Sequence, residues 1–154
     1  GTLVPGFYAD PKENHTAYAY TWVYSPKEQE VGLWAEFQNY SRSEMDLAPL
    51  PGKWDYKGSR IWINDKEIMP PVWTATHRVK SNETPLGNEN CVVRPPLPVH
   101  LNKGWNKVFL KLPIGAFRMD ETRLVKWMFT TVFVTLDGEH AVDGLIYSPE
   151  KKLK

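Results

Sequence analysis

Between Gly58 and Trp73, Ile61 and Ile63 alternate with Arg60, Trp62 and Asn64, the period-two pattern of a strand with one face in a core. Asn64-Asp65 tolerate left-handed backbone angles, and Lys66-Glu67-Ile68 resumes an extended run, so this segment predicts a tight β-hairpin. Met69-Pro70-Pro71 then ends the pairing, because proline offers no backbone donor. Upstream, Gly1 to Thr16 shows no periodicity and reads as a surface arm. Ala17 to Tyr24 is dense in aromatic and β-branched residues and stops at Ser25-Pro26, which predicts a first strand. Val31, Leu33, Ala35 and Phe37 alternate with Gly32, Trp34, Glu36 and Gln38, a second strand with an apolar and a mixed face. Trp34 and Trp62 both fall on mixed faces, which leaves room for the two indoles to lie near each other, on an outer surface or beneath a covering loop.

Downstream, Val99-His100-Leu101 leads through an Asn102–Asn106 turn into Lys107–Pro113. There Val108, Leu110 and Leu112 share an apolar face, and Lys107 and Lys111 face the other way around Phe109. Leu124 to Leu136 is apolar on both faces, as expected of a central or bulged strand. Asp137-Gly138 closes a turn and Ala141–Tyr147 reads as a last short strand. Gly115 to Thr122 is the one candidate for a helical turn. About seven to nine short strands without a strong amphipathic helix predict an all-β fold, an antiparallel β-sandwich or jelly roll, built as a single domain over residues 1–154.

Two stretches break the alternation, Asn39 to Ser59 and Thr74 to Pro98, and loops this long are usually functional. The first supplies Arg42, Trp54, Asp55 and Tyr56, and the hairpin exit and second loop supply Trp73, Asn88, Glu89, Asn90 and Arg94. If the loops meet at one end of the sandwich they form a shallow cleft suited to a glycan. Aromatic planes fit the C–H faces of sugar rings, and planar amide, carboxylate and guanidinium groups bond hydroxyls in pairs. The alternative is structural: Trp54 and Trp73 plug the sandwich end, and Arg94 pairs with Glu89 to tie the loop down. Arg42, Arg78 and Arg94 would suit an anionic sugar.

Composition agrees with a loop-rich β protein: 13 prolines, 10 glycines, and 7 Trp, 7 Tyr and 6 Phe in 154 residues. A tryptophan excess reads either as an aromatic core or as stacking surface for sugars. The formal charge of +1, from 19 basic and 18 acidic residues, gives no electrostatic case for nucleic acid or an anionic membrane surface. No apolar run approaches the roughly 18 residues of a membrane span, and no stretch reads as a signal peptide. Cys91, the single cysteine, excludes an intrachain disulfide and reads as an unpaired, half-buried thiol. A chain opening on Gly1 reads as a piece excised from a larger polypeptide.

Catalytic patterns are weak. The carboxylates Glu36, Asp46, Asp55 and Glu89 sit in no motif that fixes the roughly 5 to 9.5 Å separation of a glycosidase pair. His15, His77, His100 and His140 have no recognisable nucleophile partner and no zinc-helix spacing. Asp137, Glu139 and Asp143 are candidates for a structural calcium ion, against which a simple hairpin turn is the stronger reading. No other cofactor is expected.

Ser59–Ile68 and Leu101–Leu112 resemble the galactose-binding-like jelly-roll domains attached to many glycoside hydrolases, whose hairpin of the form apolar-Trp-x-Asn-Gly is followed by a Gly-x-Asn turn opening a strand. Here Asp65 stands where that hairpin has Gly. More narrowly, RIWINDKEIMPPVW, NENCVVRPPLPVHLNKGWNKVFLKLP and RLVKWMFTTVFVT resemble the non-catalytic C-terminal domain of exported Bacteroidetes glycosidases of the beta-N-acetylhexosaminidase type. The resemblance implies a periplasmic or cell-surface accessory module without activity of its own. Its expected partners are an oligosaccharide and the catalytic domain of the same polypeptide, or that catalytic domain alone.

Overall fold

The computed structural model describes residues 14–40, 50–55, 57–72, 86–88, 91–92, 95–114 and 125–151; for 38–40, 86–88, 91–92 and 125–128 it describes only the backbone. These residues form β1 (Thr16–Ser25), β2 (Gln29–Tyr40), β3 (Arg60–Ile63), β4 (Lys66–Ile68) and β5 (Leu86–Asn88). Then follow β6 (Cys91–Val92), β7 (Leu97–Leu101), β8 (Gly104–Pro113), β9 (Val125–Val134) and β10 (Ile146–Ser148). A five-stranded antiparallel sheet runs β10-β1-β8-β3-β4, a three-stranded one runs β7-β2-β9, and β5-β6 is a separate ribbon.

The two main sheets bury one face each against the other, which makes the fold the expected all-β antiparallel sandwich. β8 turns Val108, Leu110 and Leu112 inward, β3 turns Ile61 and Ile63, and β1 turns Ala17 and Val23. From the smaller sheet come Val31, Leu33 and Phe37 of β2, Val99 and Leu101 of β7, and Phe133 of β9. Pro98 lies in β7, an edge strand of its sheet, where a residue without an N–H breaks no ladder.

The hairpin forms as its alternation predicts. Ile61 pairs with Ile68 and Ile63 with Lys66, and both turn residues are left-handed, Asn64 at φ 50° and Asp65 at φ 66°. Two successive positive φ values define the type I′ turn whose twist matches the strands, and Asn-Asp supplies it without glycine.

Three expectations change. Trp34 and Trp62 are not neighbours: they stand on the outer faces of opposite sheets, because alternation sets a side chain's face within a strand but not which sheet the strand joins. Trp34 lies beneath a cover, since a Cβ on Gly138 would come within 2.9 Å of its Cζ2 and 3.3 Å of Pro96 Cδ. The final strand is β10, not Ala141–Tyr147: the Asp143-Gly144 turn, with Gly144 at φ 74°, leaves Ala141 in a single bridge to Val134 and frees Ile146–Ser148 to pair with β1. The loop read over Thr74–Pro98 contains β5, β6 and the start of β7. The candidate helical turn at Gly115–Thr122 lies outside the described residues.

Candidate functional site

Of the loop residues selected for sugar contact, Arg42, Tyr56, Trp73, Glu89, Asn90 and Arg94 lie outside the described residues, as does the convergence of the two loops. Asn88 closes β5, paired across the ribbon with Cys91. Trp54 is described and takes a different role from a sugar platform. Its side chain is 5% exposed, its Nε1–H donates to the Ile68 carbonyl at 3.0 Å, and its ring meets Phe37 edge-on at 5.6 Å between centroids. Both ring faces are thus spent in the core, and Trp54 plugs the sandwich behind the hairpin, the structural alternative weighed for it.

Asp55 is equally committed. Its Oδ1 accepts from the backbone N–H groups of Lys57, Gly58 and Ser59 at 2.9, 2.8 and 3.0 Å, and its Oδ2 accepts the Ser59 hydroxyl at 2.6 Å. A buried carboxylate saturated in this way shapes the entry into β3. Burial pushes the Lys57 ammonium below its ordinary pKa, an effect that the nearby Asp55 charge partly offsets. Asp137 closes a turn as well: Thr135 Oγ1 and the Glu139 N–H, at 3.0 Å, both donate to its Oδ1. Among the described residues no group of three His, Cys, Asp or Glu side chains is arranged to hold a metal ion.

A contiguous chemical surface stands instead on the outer face of the five-stranded sheet. β1 turns its small residues inward and presents Tyr18, Tyr20, Trp22 and Tyr24 outward at every second position. β8 adds Trp105, Lys107, Phe109 and Lys111, and β3 adds Arg60 and Trp62. Register assembles these into rows across the strands. Tyr20, Phe109 and Trp62 lie directly opposite one another in one row, and Tyr18, Lys111 and Arg60 in the next.

The rings interlock. Tyr18 stacks on Phe109 with centroids 5.5 Å apart and planes at 15°, Trp62 leans on Phe109 at 5.7 Å, and Tyr24 meets Trp105 edge-on at 5.4 Å. Tyr18 and Tyr20 are 59% and 60% exposed, so the surface is open to solvent. Trp22 is partly occupied, with Lys151 Nζ 5.4 Å from its ring centroid. The charges here are mostly cationic: Arg60 meets Glu67 at 3.5 Å, Lys107 meets Asp65 at 2.7 Å, and Lys111 has no ionic partner among the described residues.

The signal for this face was present in the alternation Ala17-Tyr18-Ala19-Tyr20-Thr21-Trp22-Val23-Tyr24, where every second residue is aromatic and the intervening ones are small. A count of aromatic density passes over it, whereas sorting the strand by faces reveals it.

Fold and surface together define a β-sandwich with an open aromatic sheet face. Comparison with protein-family models, with curated proteins and with solved structures gives no match to any of the three.

Proposed function

We propose that this chain is a non-catalytic accessory module of an exported glycoside hydrolase, and that it holds carbohydrate on the outer face of its five-stranded sheet. The observation that carries the reading is the row Tyr20, Phe109 and Trp62 beside the stacked Tyr18. Tyr18 and Trp62 pack on Phe109, and with the exposed Tyr20 they present apolar planes bordered by hydroxyl, ammonium and guanidinium groups. A pyranose has the matching chemistry, an apolar C–H face rimmed by hydroxyls, and rings already ordered by their neighbours lose little side-chain entropy when it binds. The resemblance of the hairpin and the Gly-Trp-Asn turn to glycosidase accessory domains supports the same class, and with it a periplasmic or cell-surface location.

A second reading has its own support. The face is a sheet surface rather than a concave end, with Phe109 at its centre, and such apolar patches also serve as seats for protein partners. On that reading the catalytic domain of the same polypeptide packs there and no glycan binds. Calorimetric titration of the chain with a panel of host and plant oligosaccharides separates the two. Saturable binding that disappears in both Tyr20→Ala and Trp62→Ala supports the carbohydrate reading; no binding across the panel turns the assignment to docking.

A further inference from the structure

We infer that the ligand of this face is an acidic glycan, one whose sugars carry a carboxylate, with a uronate ring on the Tyr20–Phe109–Trp62 row and its carboxylate between Lys111 and Arg60. The inference rests on the carbohydrate reading and adds the chemistry of the sugar. Arg60 and Lys111 are directly opposed on β3 and β8, a juxtaposition of like charges that costs stability within a sheet. One carboxylate, Glu67, lies close, and it meets the Arg60 Nε at 3.5 Å; Lys111 has no ionic partner among the described residues. Among the described residues the pair therefore has one carboxylate for two cations, with Arg60 exposed and Lys111 half-buried, and a bound anion would relieve the repulsion.

Geometry places that charge where an acidic sugar needs it. Successive outward residues along a strand are about 6.7 Å apart and neighbouring strands about 4.8 Å apart. The cationic row therefore lies one ring's breadth from the aromatic row, and Tyr18 borders both. When a uronate ring lies flat on the aromatic row its carboxylate extends from the ring edge toward the cationic row, and the long Lys111 and Arg60 side chains can span the rest of the interval. Lys107 lies one row to the other side of Phe109 and is already paired with Asp65 at 2.7 Å, so the charge open to a ligand lies on the Lys111 side of the aromatic row. A neutral glycan would use the rings and leave Lys111 without an ionic partner among the described residues.

The test is titration of the whole chain with oligomers of galacturonate, glucuronate and mannuronate, beside neutral galactose and glucose oligomers, each in low and high salt. The expected result is saturable binding of at least one acidic series, weakened by salt, and reduced roughly tenfold or more in Lys111→Ala as for loss of a charge-assisted hydrogen bond. Lys111→Arg should restore much of it. Neutral oligomers that bind as tightly, with no effect of salt or of Lys111→Ala, overturn the acidic assignment and leave the carbohydrate reading standing. Failure of every oligomer, acidic and neutral, overturns both.

Discussion

The amide of Asn64 donates to the amide oxygen of Asn106 at 2.7 Å, and through that contact the β3–β4 turn is tied to the turn that opens β8. Asn106 is fully buried. Its Oδ1 also accepts the Asn102 N–H at 2.9 Å, and its Nδ2 donates to the carbonyls of Asn102 at 2.8 Å and Gly104 at 3.1 Å, with the Val23 carbonyl of β1 at 3.3 Å. Asn64 completes the link from its side, exchanging bonds of 2.9 and 3.0 Å with the backbone of Lys107. One side-chain network thus fixes the register of three strands of the sheet that carries the aromatic face.

Removing the centre of that network should be costly. Asn106→Ala deletes every side-chain bond of the residue, the buried one to the Val23 carbonyl included, which predicts a loss of about 3 kcal/mol. Asn64→Ala loses fewer bonds but places a Cβ-bearing residue without a compensating side chain at positive φ, a loss of about 2 kcal/mol. The double variant should cost less than the sum, since both remove the same contact. Urea denaturation of the four proteins measures this; strict additivity would show that the two amides act independently.

Two glycines separate backbone strain from crowding. Gly104 sits at φ 98° with no heavy atom within 4 Å of a Cβ built there, so Gly104→Ala should cost the left-handed penalty alone, about 1 to 2 kcal/mol. Gly138 at φ 78° carries the same penalty, and its Cβ would also come within 2.9 Å of the Trp34 ring, so Gly138→Ala should cost more. Thermal denaturation ranks them. Equal losses would mean that Trp34 and Pro96 yield freely.

What the sequence made legible was local. The hairpin could be read because two independent signals agreed, the alternation of Ile61 and Ile63 and the tolerance of Asn64-Asp65 for left-handed angles. Apolar faces in β2 and β8 were legible for the same reason. Neither the partnership of Trp34 with Pro96 and Gly138 nor the assignment of β2 and β3 to different sheets could be read, because both depend on how distant strands pair. β1 was recognised as a strand, yet its faces were not sorted. Aromatics are expected inside, and here Ala17 and Val23 fill the inner side while the tyrosines face out.

The Asp137 turn should respond to acid. Its carboxylate is held below the ordinary range chiefly by the hydrogen bond from the Thr135 hydroxyl, then by the Glu139 N–H. A carboxylate with a depressed folded pKa contributes stability above its unfolded value, near pH 4, and that contribution is lost as pH falls through the folded value. Carbon-detected NMR titration should place the Asp137 midpoint below that of an ordinary aspartate and move it upward in Thr135→Val. An unchanged midpoint in the variant would remove the hydroxyl as the cause.

Trp54 and Tyr20 make opposite predictions about stability and binding. Trp54 is buried against Phe37 with its N–H bonded to the hairpin, so Trp54→Ala should cost about 3 to 5 kcal/mol through the cavity it opens. Trp54→Phe keeps much of the volume and forfeits the bond to the Ile68 carbonyl, a loss of about 1 to 2 kcal/mol, with glycan affinity unchanged because neither ring face reaches the surface. Tyr20 is 60% exposed and stands opposite Phe109 across the strands, so Tyr20→Ala should cost under about 1 kcal/mol while abolishing binding. Denaturation and titration of the same three variants decide the matter. If Trp54→Phe loses binding at unchanged stability, the contact surface lies at the loop end of the sandwich and not on the sheet face; if Tyr20→Ala unfolds the chain, the outer aromatics are structural.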